Sequence, residues 1–175
     1  QYDKAEPLYE ACFKKLTVLL GEDHPDTLAS MNSLAYNYHN KGQYDKAEPL
    51  LEACFQKMAA VLGEDHPDTL ATMNNLASIY NDQGQYDKAE PLFEACLKKR
   101  TALLGEDHPD TLWSMNKLAV IYNRQRQYDK AEPLYEACLK KRTAVLGEDH
   151  PDTLASMNNL AITYKGQGQY DKARP

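Results

Sequence analysis

Histidine with clustered acids, cysteine, and asparagine are the residues here that could do chemistry, and each returns at one phase of a repeating block. In Gly63-Glu64-Asp65-His66-Pro67-Asp68-Thr69, three carboxylates and an imidazole stand close enough to suggest a divalent metal site. Such a site needs donors converging at about 2.0–2.6 Å. The same residues have a plainer use. Glycine closes one helix, and proline suits the first position of the next. The residue before a proline is biased to the extended angles of a capping residue. Asp68 then falls in the first turn, where the helix dipole favours negative charge. The spacing therefore predicts a helix boundary, with no metal and no other cofactor. A cysteine–histidine nucleophile pair is also disfavoured, because the cysteine falls mid-helix and the histidine in a loop. The sequence has no Gly-rich phosphate loop, no GxSxG and no paired acids in an apolar setting. We expect no catalytic residue and no enzyme.

The four cysteines are Cys12, Cys54, Cys96 and Cys138, one per block. Equivalent points on stacked helices lie roughly 8–10 Å apart, whereas a disulfide wants Cα atoms within about 7 Å. They read as small buried apolar residues, and free thiols in that number suit a reducing, cytoplasmic setting. Lys98-Lys99-Arg100 and Lys140-Lys141-Arg142 lie late on predicted helices. They read as dipole compensation on a solvated face, or as a weak basic stripe on the convex side.

The elements that position these groups follow from the block itself. QYDKAEPL begins at Gln1 and again at Gln43, Gln85, Gln127 and Gln169, a period of 42 residues. A fixed period in this range marks a stacked-repeat protein. Each unit buries its faces against its neighbours, so residues 1–175 are expected to act as one elongated domain. Its units start near 1, 43, 85 and 127, with a partial unit at 169–175. A start in mid-unit, without methionine, suggests a piece of a longer array. The formal charge is −6 with 26% charged residues. No basic stripe is visible, which disfavours nucleic acid and anionic membranes as partners. No apolar run approaches the roughly 20 residues that span a bilayer.

Each unit is expected to hold two helices. After Pro67, Met73, Leu76, Ala77 and Tyr80 recur at helical spacing on one face, and Asp82-Gln83-Gly84 ends that helix. On the second helix, Ala47, Leu51, Cys54, Phe55 and Met58 form an apolar stripe. Asp45-Lys46-Ala47-Glu48 has capping-box spacing with Asp45 as the cap, which places Pro49 in the first turn. A helix starting one turn earlier would instead put Pro49 inside it. Glu10/Lys14, Glu94/Lys98 and Glu136/Lys140 are i,i+4 pairs. Nothing alternates with period two, so no strands are expected. Loops of about 3–5 residues should make each unit an antiparallel pair.

These stripes resemble the tetratricopeptide repeat in a long, 42-residue form. Met73, Leu76, Ala77, Tyr80 and then Tyr86, Ala89, Phe93, Cys96 match the family's large and small positions, with methionine where many members carry tryptophan. The proline that ends the 34-residue unit is absent. LGEDHPDTL followed by MNNLA and QYDKAEPL is similar to kinesin light chain repeats, and closer still to repeats attached to fungal and bacterial nucleotide-binding receptor proteins. The resemblance implies an all-α, right-handed superhelix whose first helices line a concave groove. It also implies a protein or peptide partner, held there as an extended segment or a helix.

Candidate ligand residues follow from that implied groove. Asn32, Asn74, Asn116 and Asn158 recur once per unit, and an amide that donates and accepts together suits a peptide backbone. A packing or solvated role fits them as well. On the same face the copies disagree: Tyr36, Ser78, Val120 and Ile162 share one position, and His39, Asn81, Asn123 and Lys165 another. Ser33, Asn75, Lys117 and Asn159 share a third, and Asn40, Asp82, Arg124 and Gly166 a fourth. Trp113 replaces the alanine of Ala29, Ala71 and Ala155, and with Lys117 and Arg124 it is the best local anchor. The differences fit either distinct ligand contacts or drift on an unpacked face. A spacer or self-assembling rod, natural or engineered, is the alternative function. The chain opens on a bare second helix and closes on a bare first helix, so end-to-end association is expected, with Gln169–Pro175 able to obstruct it.

Overall fold

Every first helix begins where the Gly-to-Pro boundary places it. The computed structural model describes residues 2–173. Eight helices appear among them: α1 (Tyr2–Leu20), α2 (Pro25–Asn40), α3 (Tyr44–Leu62), α4 (Pro67–Asp82), α5 (Tyr86–Leu104), α6 (Pro109–Arg124), α7 (Tyr128–Leu146) and α8 (Pro151–Gly166). No strand occurs among the described residues. His66 caps α4 with extended angles, φ −64° and ψ 139°. Its Nδ1 accepts the Asp68 amide at 3.2 Å, and His24, His108 and His150 do the same in their repeats. An imidazole nitrogen thus takes the place usually held by a side-chain oxygen.

The second helices start earlier than the capping-box spacing predicts. Lys41 ends α2, Gly42 turns the chain at φ +71°, and Gln43 already stands at the head of α3. Gly42 donates to the His39 carbonyl at 2.8 Å and Gln43 to that of Tyr38 at 2.9 Å, the Schellman pattern. That closure is so tight that the Gln43 carbonyl accepts the first helical bonds, from Lys46 and Ala47. Asp45 therefore lies inside the first turn and does not cap. Pro49 sits within the helix, so the Asp45 carbonyl lacks its usual helical donor. In the third repeat Arg126 takes the glycine's place at φ +61°.

Two compact units divide the chain, the first running to Ala89 and the second from Glu90 onward. In the first, α1, α2, α3 and α4 pack in sequence, and α2 also touches α4. Three or four residues join consecutive helices, which makes neighbours antiparallel. Leu28, Met31, Cys54 and Met58 form a buried cluster between α2 and α3, with Phe13 and Leu62 against it. In the second unit α6, α7 and α8 pack likewise. Phe93, Leu112, Ile121, Tyr135 and Cys138 are buried there. Each large apolar side chain so buried contributes about 1.5–3 kcal/mol.

Two sequence readings need correction. Glu10, Glu94 and Glu136 do not serve chiefly their own helices: each accepts the hydroxyl of a tyrosine from the following first helix, Tyr38 (2.6 Å), Tyr122 (2.6 Å) and Tyr164 (2.8 Å). Tyr80 reaches Glu52 in the same way. The arginines of the basic runs are not solvated. Arg100 and Arg142 are 6% and 4% exposed, and Nη1 of each donates to a backbone carbonyl and to a serine, Ser114 or Ser156. Three of the cysteines are buried and free as expected. Cys12 is exposed, because among the described residues no helix lies against the outer face of α1.

One buried position marks the first repeat as weaker than its siblings. Asn37 is 3% exposed and its Oδ1 has no hydrogen-bond partner. The matching residues are Ile79, Ile121 and Thr163, all 0% exposed. A buried polar group without a partner costs about 1–3 kcal/mol. Asn37→Ile should therefore raise stability by about 1–2 kcal/mol, read as a higher urea midpoint at unchanged slope.

Candidate functional site

A helix has one strip left over once its packing stripe is satisfied, and on the first helices that strip holds four of the variable positions. Ala29, Ser33, Tyr36 and Asn40 follow one another at intervals of four, three and four on α2, and all are exposed. Such intervals keep residues on one face. The equivalent strip on α6 is Trp113, Lys117, Val120 and Arg124.

Asn32 and Asn116 lie to one side of this strip, toward the next first helix of their own unit. Asn75 Nδ2 donates to Asn32 Oδ1 at 3.1 Å, joining α4 to α2. Asn159 donates to Asn116 at 3.5 Å, joining α8 to α6. Asn74 is 2% exposed and Asn81 6%, and Asn81 Nδ2 bonds to Asp82 at 3.0 Å. Asn74 and Asn81 are thus buried side chains, not open ligand groups. An amide on a helix edge meets the neighbouring helix before it meets solvent. The adjacent pairs Asn74-Asn75 and Asn158-Asn159 are the sequence trace of this arrangement. Asn158 itself is exposed, and Asn123 is half-buried.

In the first unit the strip is aromatic and titratable. Tyr36 is half exposed, and its ring lies 6.2 Å from that of His39. His39 Nε2 meets Asp82 Oδ2 at 2.9 Å across α2 and α4, and its ring stands 5.7 Å from Tyr44. Ser78 turns back to the Asn74 carbonyl at 2.9 Å. In the second unit Trp113 packs on Phe93 with ring centroids 6.3 Å apart, and Lys117 Nζ lies 5.0 Å over the indole. Val120 is half-buried, while Arg124, Ile162 and Lys165 are exposed. Trp113, Lys117 and Arg124 therefore do share one face, as their spacing required.

The sequence reading missed what fixes these helices. Each stripe tyrosine is held twice: its hydroxyl by the preceding second helix, its ring by a lysine of the segment that follows, the next second helix for Tyr38, Tyr80 and Tyr122 and a turn for Tyr164. Lys46 lies 5.0 Å over Tyr38, Lys88 4.8 Å over Tyr80, Lys130 4.9 Å over Tyr122 and Lys172 5.1 Å over Tyr164. Burial, followed by the nearby glutamates, pushes the Tyr38 and Tyr164 hydroxyls up to about 12, and Tyr80 and Tyr122 higher. The only available signal was the constant separation of tyrosine from glutamate.

The nucleophile and metal residues are committed elsewhere. Burial pushes the Cys54 thiol up to about 12, and its Sγ lies 3.3 Å from the Leu28 carbonyl. The loop histidines use Nδ1 in capping. Among the described residues no three His, Cys, Asp or Glu side chains gather as a metal site.

The tetratricopeptide repeat family profile matches residues 1–54, 29–97, 68–140 and 114–175, covering the chain from end to end. The chain belongs to the tetratricopeptide repeat family. Solved structures agree with this all-α solenoid fold. The nearly identical TPR-like repeats of a P. anserina kinesin light chain match 99% of this chain and 82% of that one, at 33% identity and a TM-score of 0.84. BtubC (BKLC) from P. vanneervenii matches 98% of this chain and 68% of that one, at 27% identity and a TM-score of 0.86. MamA, at 19% identity and a TM-score of 0.61, shares the fold alone. No curated protein matches the chain. Tetratricopeptide repeat proteins generally mediate protein–protein interactions and are generally non-enzymatic. Among the described residues no helix is long and apolar enough to cross a membrane.

Proposed function

We propose that this chain is a cytoplasmic, non-catalytic interaction scaffold that holds an extended peptide or a partner helix along the outward strip of its first helices. One observation carries this reading: among the positions at which the copies differ, Ala29/Trp113, Ser33/Lys117, Tyr36/Val120 and Asn40/Arg124 share one helix strip, exposed on α2 and half-buried to exposed on α6. Tyr36, His39 and Ser78 supply the contacts on the first unit. Trp113, Lys117, Val120, Asn123 and Arg124 supply them on the second, with Asn158, Ile162 and Lys165 on α8. Asn32 and Asn116 take a secondary part, since each already accepts from a neighbouring helix. That use of the amides favours a second reading, a spacer rod without a specific ligand. The open ends are a separate surface, and we propose that they take another copy of the chain.

A displayed library of unbiased peptides separates the two readings. The scaffold reading expects selected peptides whose affinity falls at least about tenfold with Trp113→Ala or Arg124→Ala, at unchanged helicity. Failure to select any peptide, or binding indifferent to both changes, would favour the rod.

A further inference from the structure

We propose that the last turns of the second helices, with the acidic loops that follow them, form a second binding surface, and that it takes a cationic peptide segment with a large apolar side chain at its centre. This rim is separate from the strip on the first helices, and the inference does not rest on that reading.

The rim departs from what a helix end usually carries. The C-terminus of a helix bears partial negative charge and favours lysine, arginine or histidine in its last turn. Each of α1, α3, α5 and α7 lacks a basic residue there. One position of that turn instead holds Leu19, Val61, Leu103 and Val145, which are 78%, 46%, 53% and 49% exposed. α3 and α7 each pack between two first helices of their own unit, yet Val61 and Val145 stay open. The exposure therefore belongs to the repeat and not to a terminal helix. A single exposed apolar residue is ordinary. One at the same place in every second helix makes a patch with a period, and such patches mark interaction sites.

Beside each apolar turn the chain continues as Gly-Glu-Asp. Lys57 of α3 donates to Glu22 at 3.0 Å and to Asp23 at 2.7 Å. Lys141 of α7 pairs with Glu106 at 3.1 Å and Asp107 at 2.6 Å. These bonds pin the loops, and one lysine to two carboxylates leaves net negative charge. All four acidic side chains remain mostly exposed. In the first unit a groove of about 390 Å³ opens here, lined by Phe13 and Val18 of α1 and Met31 of α2, with Glu22 and Lys57 among its walls.

Charge selects the occupant. A second copy of this chain, at net charge −6, would bring acid against acid. Nucleic acid and anionic membrane are repelled in the same way. Carboxylates at the negative end of a helix attract lysine and arginine. The groove lies at the small end of the roughly 300–1,000 Å³ of ligand sites, which suits one or two large apolar side chains.

The test is fluorescence anisotropy with two synthetic peptides that share a leucine-rich centre, one flanked by lysines and the other by glutamates. The lysine peptide should bind at least about tenfold more tightly, and added salt should narrow the gap. Leu19→Lys, Val61→Lys, Leu103→Lys and Val145→Lys, made together, should weaken its binding by about tenfold or more. Lysine in a last turn suits the helix dipole, so circular dichroism and the urea midpoint should show a fold no less stable. Equal affinity for both peptides, or no binding of either at millimolar concentration, would overturn the rim. Binding that survives the four changes but is lost with Trp113→Ala would overturn it as well and move the peptide to the first-helix strip.

Discussion

Raising the pH through 10 to 12 should unfold this protein, and the stripe tyrosines should ionise only as the helices melt. An unfolded tyrosine titrates near 10. Folded Tyr38 and Tyr164 hold their protons up to about 12, first because burial disfavours the phenolate and then because a glutamate accepts each hydroxyl. Tyr80 and Tyr122 are pushed further by the same causes. A raised folded pKa means that the folded state binds the proton more tightly. Its contribution is therefore complete below about pH 10 and is lost as the pH climbs through the folded value. For Tyr38, which is 8% exposed, the loss is on the order of 2–3 kcal/mol. Tyrosinate absorbance and far-ultraviolet circular dichroism should move together in this window. Ionisation of these four tyrosines near pH 10 with the helices intact would contradict the arrangement.

Arg142→Ala should cost about 3 kcal/mol, and the combined change Arg142→Met with Ser156→Thr should cost nearly nothing. The guanidinium is almost fully buried and bonds through Nη1 to the Asp152 carbonyl at 2.8 Å and Ser156 Oγ at 2.9 Å. Nε has no partner. Truncation to alanine leaves a cavity and removes both bonds. At the matching place in the first unit, Met58 is 1% exposed and Thr72 Oγ1 lies 3.1 Å from its sulfur. The protein thus carries a neutral solution to the same packing problem, and apolar replacement of a buried charge is often neutral or stabilising. Urea midpoints of the two single changes and the double give the coupling. A combined change as costly as Arg142→Ala would show that the guanidinium does something methionine cannot.

The block length and its stripes made most of the fold legible. Pro67 after His66 located a helix start to the residue, because proline chemistry is local. The second-helix start was misplaced because a Schellman closure at Lys41-Gly42-Gln43 pulled the chain into the helix before Asp45 could cap. Side chains that act between repeats were harder to read. Arg100 and Arg142 look solvated in a run of lysines, and only their burial against the neighbouring first helix shows otherwise. Asn32 and Asn116 look free until the next first helix supplies an amide. The strip at Trp113, Lys117 and Arg124 was legible because it needed only the helical period.

The tyrosine clasp bears on how this array comes apart. Tyr38 touches α1 through Glu10 and α3 through Lys46, so three successive segments share one side chain. Loosening any one of them strips part of the hold on the other two. Hydrogen exchange should then show protection lost over stretches longer than a single 42-residue unit, a melt that spreads like a zip with no isolated fraying in its middle.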